Sequence, residues 1–295
     1  MRRTLLFWLG LAAFLGGCRA EPQAGAGAPS PALWTIEKDG HKAWLFGTVH
    51  MMPEGVAWET PAIAKAVAIS DLLVLEAAGL ENEKRTAAIF EQLGKSPDLP
   101  GIAERIPVGR RAAMETLMAR IGVSDRTLAP YESWAAALLL SSSVQQDLKL
   151  RAGAGVERLL SSQFLEKGKP VIGLETVEGQ LGIFDTLPER AQRALLTQVV
   201  DEADSATDQY QEMLAAWLSG DTERIGDKFT AEFGKESALA NPLLYDRNRN
   251  WVRQIEALMK RRGTPFIAVG AGHLVGKNSV QAMLTRQGFV VKRVE

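Results

Sequence analysis

Two histidines of this chain end the same four-residue pattern, and each pattern follows an apolar run of strand length. A Gly-x-x-His motif spans 47–50 and ends at His50, and a second spans 270–273 and ends at His273. A glycine lets the chain turn sharply, so that the histidine side chain can point back over the end of the strand. The chain has three histidines in all, and this repetition indicates a shared role for two of them. His41, beside an Asp-Gly turn, is interpreted as an exposed turn residue.

Two glutamates follow other apolar runs: Glu76 ends the run 71–75, and Glu175 ends the run 171–174. In open sheets with parallel strands, sites gather at the carboxyl ends of the strands. Two imidazoles and two carboxylates meeting there would supply nitrogen and oxygen donors that suit Zn²⁺, Mn²⁺, Co²⁺ or Fe²⁺. A bound ion would lower the pKa of a water molecule, and a carboxylate that is not a ligand would act as general base. We therefore predict a divalent-metal site at this edge.

Structural alternatives accompany these candidates. Glu76 could form a buried salt bridge, since a carboxylate is costly to bury without a partner. Glu175 could mark a helix N-terminus, where acidic residues are favoured. The polar segment 245–250 is either a solvated helix face or the source of Arg247 or Asn248, which would stabilise developing negative charge. The candidate catalytic residues are thus Glu76, Glu175, Arg247 and Asn248.

Short strands and helices must position these residues. Residues 34–36 and 43–46 predict a hairpin, and Thr60-Pro61 predicts a helix start. Buried strands are expected near 71–75, 171–174 and 265–269, and a closing helix and strand over 279–287 and 289–294. Helices are expected across 81–166, including the apolar run 134–144 as a core helix, and from 188 to about 262 with a break near Asn241-Pro242.

This pattern predicts an α/β or α+β fold with a central mixed sheet, flanking helices and a helical middle region. The repeated Gly-x-x-His and Leu-Glu motifs suggest two related halves. Residues 32–295 read as one domain. The composition, 46% hydrophobic and 23% charged over 295 residues, is ordinary for a packed domain. A net charge of −1 without a basic cluster argues against nucleic-acid binding.

The N-terminus has the features of a lipoprotein signal peptide over 1–18. Two arginines precede the apolar run 5–15, which is too short for a permanent membrane helix, and Leu-Gly-Gly leads into Cys18. We expect lipidation of Cys18 followed by a flexible linker over 19–31. Arg19 after the cysteine favours the outer membrane, with the domain in the periplasm and only the lipid anchor in the membrane. The alternative is ordinary cleavage after Ala20, which would discard Cys18.

The motifs together resemble the TraB/GumN family over residues 32–295. The resemblance is carried by 45–50, 75–76, 173–176, 247–248 and 269–276. It implies the fold group of erythromycin esterase, ChaN and the Tiki proteins. Tiki members are metal-dependent proteases that favour Mn²⁺ or Co²⁺, so the resemblance implies one of these ions before Zn²⁺, and a peptide or protein substrate. It assigns the metal to His50, His273 and Glu76. The family's usual Gly-Val-Asp appears here as Gly155-Val156-Glu157, and this longer acid leaves the role of Glu157 open.

Three hypotheses on function stay open. The first is a metal-dependent hydrolase, a peptidase acting on periplasmic peptides or proteins. The second is a hydrolase without metal, in which His50 or His273 is the general base with a glutamate partner. The third is a non-catalytic lipoprotein that binds haem, iron or a partner protein. The sequence determines neither the substrate nor the oligomeric state.

Overall fold

Six strands form one mixed sheet in the computed structural model, which describes residues 28–53, 55–80, 82–147, 155–233 and 237–295. The strands are β1 (Leu33–Lys38), β2 (His41–Thr48), β3 (Leu72–Ala77), β4 (Val171–Glu175), β5 (Pro265–Gly270) and β6 (Val290–Arg293). Their spatial order is β4-β3-β5-β2-β1-β6. Neighbours from β4 to β2 are parallel, and β1 is antiparallel to both β2 and β6. The mixed sheet and each predicted strand are confirmed.

The β1–β2 hairpin turns at Asp39 and Gly40, which both have positive φ (52° and 78°). Two consecutive residues with positive φ give the turn twist that matches paired strands, and Asp-Gly is a favoured sequence for it. Strand β5 lies at the centre of the sheet and is buried along its whole length. Its continuous apolar sequence follows from helices that cover both faces of the sheet.

Helices account for most of the remaining described chain. They are α1 (Pro61–Ile69), α2 (Glu83–Gly94), α3 (Arg111–Ile121), α4 (Asp125–Leu128), α5 (Ser133–Asp147), α6 (Val156–Glu166), α7 (Val177–Asp185), α8 (Glu189–Glu202), α9 (Ala206–Leu218), α10 (Thr222–Phe233), α11 (Ser237–Ala240), α12 (Asp246–Met259) and α13 (Val280–Arg286). Helix α1 starts as predicted, since the Thr60 hydroxyl accepts from the Ile63 N–H and Pro61 is its first residue.

The predicted helical middle region has a hydrophobic core of its own. Trp134 is fully buried in α5, stacks with Phe184 of α7, and contacts Phe90 of α2 edge-on. Separate cores lie on the two faces of the sheet. Within the residues that the structure describes, no helix combines the length and apolar composition that a membrane crossing requires. The apolar run 134–144 lies in α5, and its burial in the core of the helical region confirms the predicted core helix.

The predicted break near Asn241-Pro242 is wrong. The helical backbone continues from α11 through a π-helical turn (Asn241–Tyr245) into α12. Pro242 is the second residue of that turn and lies inside the continuous helix, where its missing N–H removes one backbone hydrogen bond. The wider turn leaves the Leu243 carbonyl as acceptor for the Arg247 guanidinium at 3.2 Å. Turns of this kind are common at functional sites.

The signal peptide predicted for 1–18, with Cys18, and most of the linker predicted for 19–31 lie outside the described residues.

Candidate functional site

The four predicted strand ends meet at one edge of the sheet. Thr48 of β2 pairs with Gly270 of β5, and Leu75 of β3 pairs with Ala268 of β5. On the other side of β3, Ala77 pairs with Glu175 of β4. These registers place His50, Glu76, Glu175 and His273 at the carboxyl ends of four adjacent parallel strands, as the spacing of the motifs predicted.

Gly270 marks the point where three of these side chains converge. A Cβ atom at position 270 would lie 2.9 Å from Glu76 Oε1, 3.6 Å from His50 Nε2 and 3.8 Å from His273 Cδ2. The Gly270 N–H donates to Glu76 Oε1 at 2.7 Å. His273 Nε2 lies 3.8 Å from the same carboxylate oxygen. The glycine is required because a side chain would fill the space that the two imidazoles and the carboxylate share.

His273 is held in one orientation by Asn248. The distance from His273 Nδ1 to Asn248 Oδ1 is 2.6 Å, and the Asn248 amide in turn donates to the Asn278 carbonyl. Because an amide oxygen only accepts, Nδ1 carries the proton and Nε2 is an acceptor. Arg247 Nη1 lies 3.2 Å from that Nε2. Burial, together with Arg247 and His50, lowers the pKa of His273 to about 3 against the opposing Glu76 charge, so the ring is neutral.

His50 is held by a carboxylate instead. Its Nδ1 lies 2.8 Å from Glu157 Oε1, and the Thr48 hydroxyl donates to the same oxygen. Burial alone would lower the pKa of His50, but the Glu157 and Glu76 carboxylates outweigh it and raise the pKa to about 9. In turn, the neighbouring His50 and Thr48 hold the pKa of Glu157 below its ordinary value despite burial.

Arg247 joins two of the predicted glutamates. Its Nε and Nη2 donate to the two oxygens of Glu175 at 2.9 and 2.8 Å, and Nη2 also donates to Glu76 Oε2 at 2.8 Å. The Trp251 indole N–H donates to Glu175 at 2.9 Å, and its ring lies 4.7 Å from the Arg247 guanidinium carbon. A bidentate guanidinium–carboxylate pair fixes both partners.

Burial and hydrogen-bond partners decide between the alternatives predicted for the polar residues. Arg247 and Asn248 are buried, 6% and 2% exposed, so a solvated face is wrong for these two residues. Glu175 ends β4, and the N-cap of α7 is Thr176 rather than the glutamate. Glu76 does form the buried salt bridge that was its structural alternative, and the same bridge lies within the site.

Glu76 should make the free energy of unfolding depend on acid pH. Burial would raise its pKa, but Arg247, both histidines and the Gly270 N–H lower it from 4.5 to about 2. A depressed pKa in the folded chain adds stability that is complete above pH 4.5 and is lost as pH falls toward 2. We therefore expect the stability difference between wild type and Glu76→Gln to shrink over this interval in urea unfolding. A constant or growing difference would contradict this, and Glu166→Gln at an exposed position is the control.

The donor groups at this edge fit a divalent cation in chemistry but are not arranged around one. Among the residues described, no three His, Cys, Asp or Glu side chains are placed to hold a metal ion. The nearest set is His50 Nε2, Glu76 Oε1 and the His273 ring around Gly270, with His273 Nε2 3.8 Å from Glu76 Oε1. Two imidazoles and a carboxylate suit Zn²⁺, Mn²⁺, Co²⁺ or Fe²⁺, and both rings have the outer Nδ1 contact typical of metal-ligating histidines. Arg247 would have to leave His273 Nε2 for that ring to bind an ion.

Several residues of the site were not predicted. Gln180 donates to Glu76 Oε2 at 3.3 Å, and Trp251 contacts both Glu175 and the His273 ring. Trp251 lies four residues after Arg247 on α12, so helical spacing could have placed both side chains on one face. Thr48 lies inside the first Gly-x-x-His motif, but the motif did not predict that its hydroxyl donates to Glu157. Nothing in the local sequence marks Gln180.

Several known proteins are similar to this chain, two of them over more than four-fifths of its length. A YbaP protein of Escherichia coli (strain K12), named as uncharacterized, is 24% identical over 266 residues, covering 85% of this chain and 96% of the relative. An uncharacterized protein of Treponema pallidum (strain Nichols) is 21% identical over 84% of this chain and 78% of its own length. Metalloprotease TIKI1 of Danio rerio is 30% identical over 183 residues, which is 52% of this chain and 37% of that protein. No solved structure matches the chain.

The model of the TraB/PrgY/gumN family matches residues 32–293. This range contains all six strands and each of the four strand ends that form the site. The protein therefore belongs to the TraB/PrgY/gumN family.

Proposed function

We propose that this protein is a metal-dependent hydrolase that cleaves peptide bonds in peptides or proteins. The observation that carries the proposal is the convergence of His50 Nε2, Glu76 Oε1 and the His273 ring around Gly270, with His273 Nε2 3.8 Å from Glu76 Oε1. Both imidazoles have Nδ1 engaged by a neighbouring side chain, so Nε2 is the nitrogen that each could offer to an ion; His50 Nε2 faces Gly270, and His273 Nε2 contacts Arg247. The similarity to a relative named as a metalloprotease supports hydrolysis within the family.

In this proposal His50, His273 and Glu76 would hold the ion. Because the pKa of His50 is raised to about 9 in the metal-free chain, its Nε2 would release a proton when the ion binds. A divalent ion at such a site lowers the pKa of a bound water and polarises a carbonyl group. Arg247, freed from His273 Nε2, keeps its contact with Glu175 and presents its guanidinium to negative charge that develops on the substrate. Asn248 and Glu175 act as positioning residues, since their hydrogen bonds orient His273 and Arg247.

We further propose that the ion is Mn²⁺ or Co²⁺ and that the protein works in the periplasm. The support for the metal is a donor set of nitrogen and oxygen without a thiolate, together with the resemblance to the Tiki proteases. The support for location is the lipoprotein signal in 1–18, through which Cys18 would anchor the chain to the outer membrane. Elemental analysis of the purified 19–295 chain tests the metal.

A second candidate is a hydrolase that uses no metal, and one observation favours it. His50 Nδ1 contacts the Glu157 carboxylate at 2.8 Å, the relation that orients the histidine general base of many hydrolases. Because the pKa of His50 is raised to about 9, the ring accepts a proton only once it is deprotonated, so this candidate predicts activity that rises as the pH approaches 9. Arg247 would then keep its contact with His273 Nε2 and stabilise the oxyanion from its present position. The two candidates differ in their response to chelation.

The test is hydrolysis of a fluorogenic peptide library by the 19–295 chain after chelation and after addition of Mn²⁺, Co²⁺ or Zn²⁺. We expect chelation to remove activity and the ion to restore it. His50→Gln and His273→Gln should each lower the restored activity at least about tenfold, because each removes a ligand. His41→Gln, on the far end of β2, is the matched control and should retain full activity.

Activity that survives chelation but is lost in His50→Gln would replace the first candidate by the second. Activity that survives chelation and both histidine substitutions would exclude both.

A further inference from the structure

The start of helix α6 is fastened to the segment that carries His50. Gly155 packs so closely that a Cβ atom there would overlap the His50 carbonyl oxygen. The Val156 N–H donates to the Val49 carbonyl at 3.1 Å, and Val156 itself is fully buried. These two contacts fix where the first turn of α6 lies relative to the first Gly-x-x-His motif, so that the next residue, Glu157, faces the imidazole.

Glu157 contacts the side of His50 that points away from the convergence point. Its Oε1 lies 2.8 Å from His50 Nδ1 and also accepts from the Thr48 hydroxyl. Glu157 Oε1 accepts from the Thr48 hydroxyl, and a carboxylate oxygen that accepts in this way leaves the imidazole as the donor, so Nδ1 carries the proton in this contact. The ring is thereby turned so that Nε2 faces Gly270 and Glu76. Thr48 holds the carboxylate itself in place.

We propose that Glu157 is a positioning residue, which orients the His50 ring and makes its Nε2 a stronger metal ligand toward the space around Gly270. Its counterpart on His273 is Asn248, a neutral amide. A carboxylate behind an imidazole raises the basicity of the far nitrogen, and loss of such a partner typically lowers metal affinity 10- to 100-fold. The expected effect of Glu157 on metal affinity rests on the proposed function. The orientation of the His50 ring is argued from the contacts alone.

The full-length chain with substitutions at Glu157 tests the assignment. Glu157→Leu removes both oxygens, and Glu157→Gln keeps the shape and one acceptor without the charge. Glu166→Gln, an exposed acid at the other end of α6, is the matched control. The first measurement is long-range ¹⁵N NMR of the imidazole nitrogens without metal, since three histidines give few signals. The second is Mn²⁺ affinity, measured from the EPR signal of free Mn²⁺.

We expect both Glu157 variants to shift the His50 ring nitrogens while His41 and His273 keep their signals. Mn²⁺ affinity should fall by about 10- to 100-fold in Glu157→Leu and by less in Glu157→Gln. A purely structural role for Glu157 would instead alter thermal unfolding without a selective change at His50. If the Leu variant does not fold, the Gln variant carries the test.

Unchanged His50 signals in a folded Glu157 variant would overturn the assignment. Wild-type protein that binds no Mn²⁺ and hydrolyses nothing would overturn the proposed function, and the NMR comparison would still decide the orienting role. The two proposals can therefore fail separately.

Discussion

Replacing Arg247 by methionine is expected to lower the free energy of unfolding by about 3–5 kcal/mol. The guanidinium is the shared partner of two carboxylates, since it donates to Glu175 through two nitrogens and to Glu76 through one of them. Arg247, Glu76 and Glu175 have side chains that are 7–10% exposed, so little water replaces a lost partner. Removing one member of a buried ion pair is costly because the remaining charge keeps its desolvation penalty.

The matched control is Arg249→Met, two residues later on the same helix. Its ion pair with Asp246 is more than half exposed on both sides. Exposed pairs contribute about 0–1 kcal/mol, so this variant should unfold close to wild type. Arg247→Lys is expected to be intermediate, because a lysine keeps the charge and loses the bidentate geometry. Urea unfolding monitored by tryptophan fluorescence gives all three values, and a loss below about 1 kcal/mol in Arg247→Met would contradict the buried network.

Gly270→Ala is expected to lower Mn²⁺ affinity and metal-restored hydrolysis by about 10- to 100-fold, because it displaces the one carboxylate of the proposed ligand set. The added methyl group would lie 2.9 Å from Glu76 Oε1 and 3.6 Å from His50 Nε2. Real Cβ atoms do not approach an oxygen so closely, so Glu76 must move. Its buried position between Arg247 and the Gly270 N–H leaves no open direction for it. The substitution therefore displaces the Glu76 carboxylate, while the two imidazoles stay in ordinary van der Waals contact with the added methyl group.

Two other glycines separate this local effect from a general cost of Gly→Ala. Gly182 in α7 has open space where a Cβ would lie, so alanine there should leave metal affinity unchanged and add about 0.5–1 kcal/mol of stability. At Gly272 a methyl group would overlap the Phe229 ring, so alanine there should lower stability through packing. Gly270→Ala that folds and binds Mn²⁺ like wild type would show that the space around residue 270 is not the metal site.

The fold and the four strand-end residues could be predicted because local rules determine them. Asp39-Gly40 specifies a hairpin turn, Thr60-Pro61 specifies a helix start, and continuous apolar runs specify strands covered on both faces. Parallel strands end at a common edge, so His50 and His273 had to lie near each other once β2 and β5 became neighbours. The pairing itself is non-local, but the shared Gly-x-x-His motif indicated it.

The prediction of a break at Asn241-Pro242 was wrong because the chain accommodates the proline in a π-helical turn and stays helical on both sides of it. The π-helical turn that replaces the break depends on packing of Leu243 and Leu244 into two different cores. Local sequence cannot show that packing. This π-helical turn also sets the direction in which the Arg247 side chain extends from α12 to the sheet edge.

The sequence by itself determined which residue types stand at the strand ends, because hydrophobic periodicity and the conformational preferences of turn residues act over a few neighbouring residues. Only the tertiary structure decided which of them touch. Glu157 reaches His50 across 107 positions of chain, and Arg247 reaches Glu76 across 171. A hydrogen bond depends on distance and direction to within a few tenths of an ångström, and helix packing against the sheet sets both. Spacing along the chain does not determine that geometry.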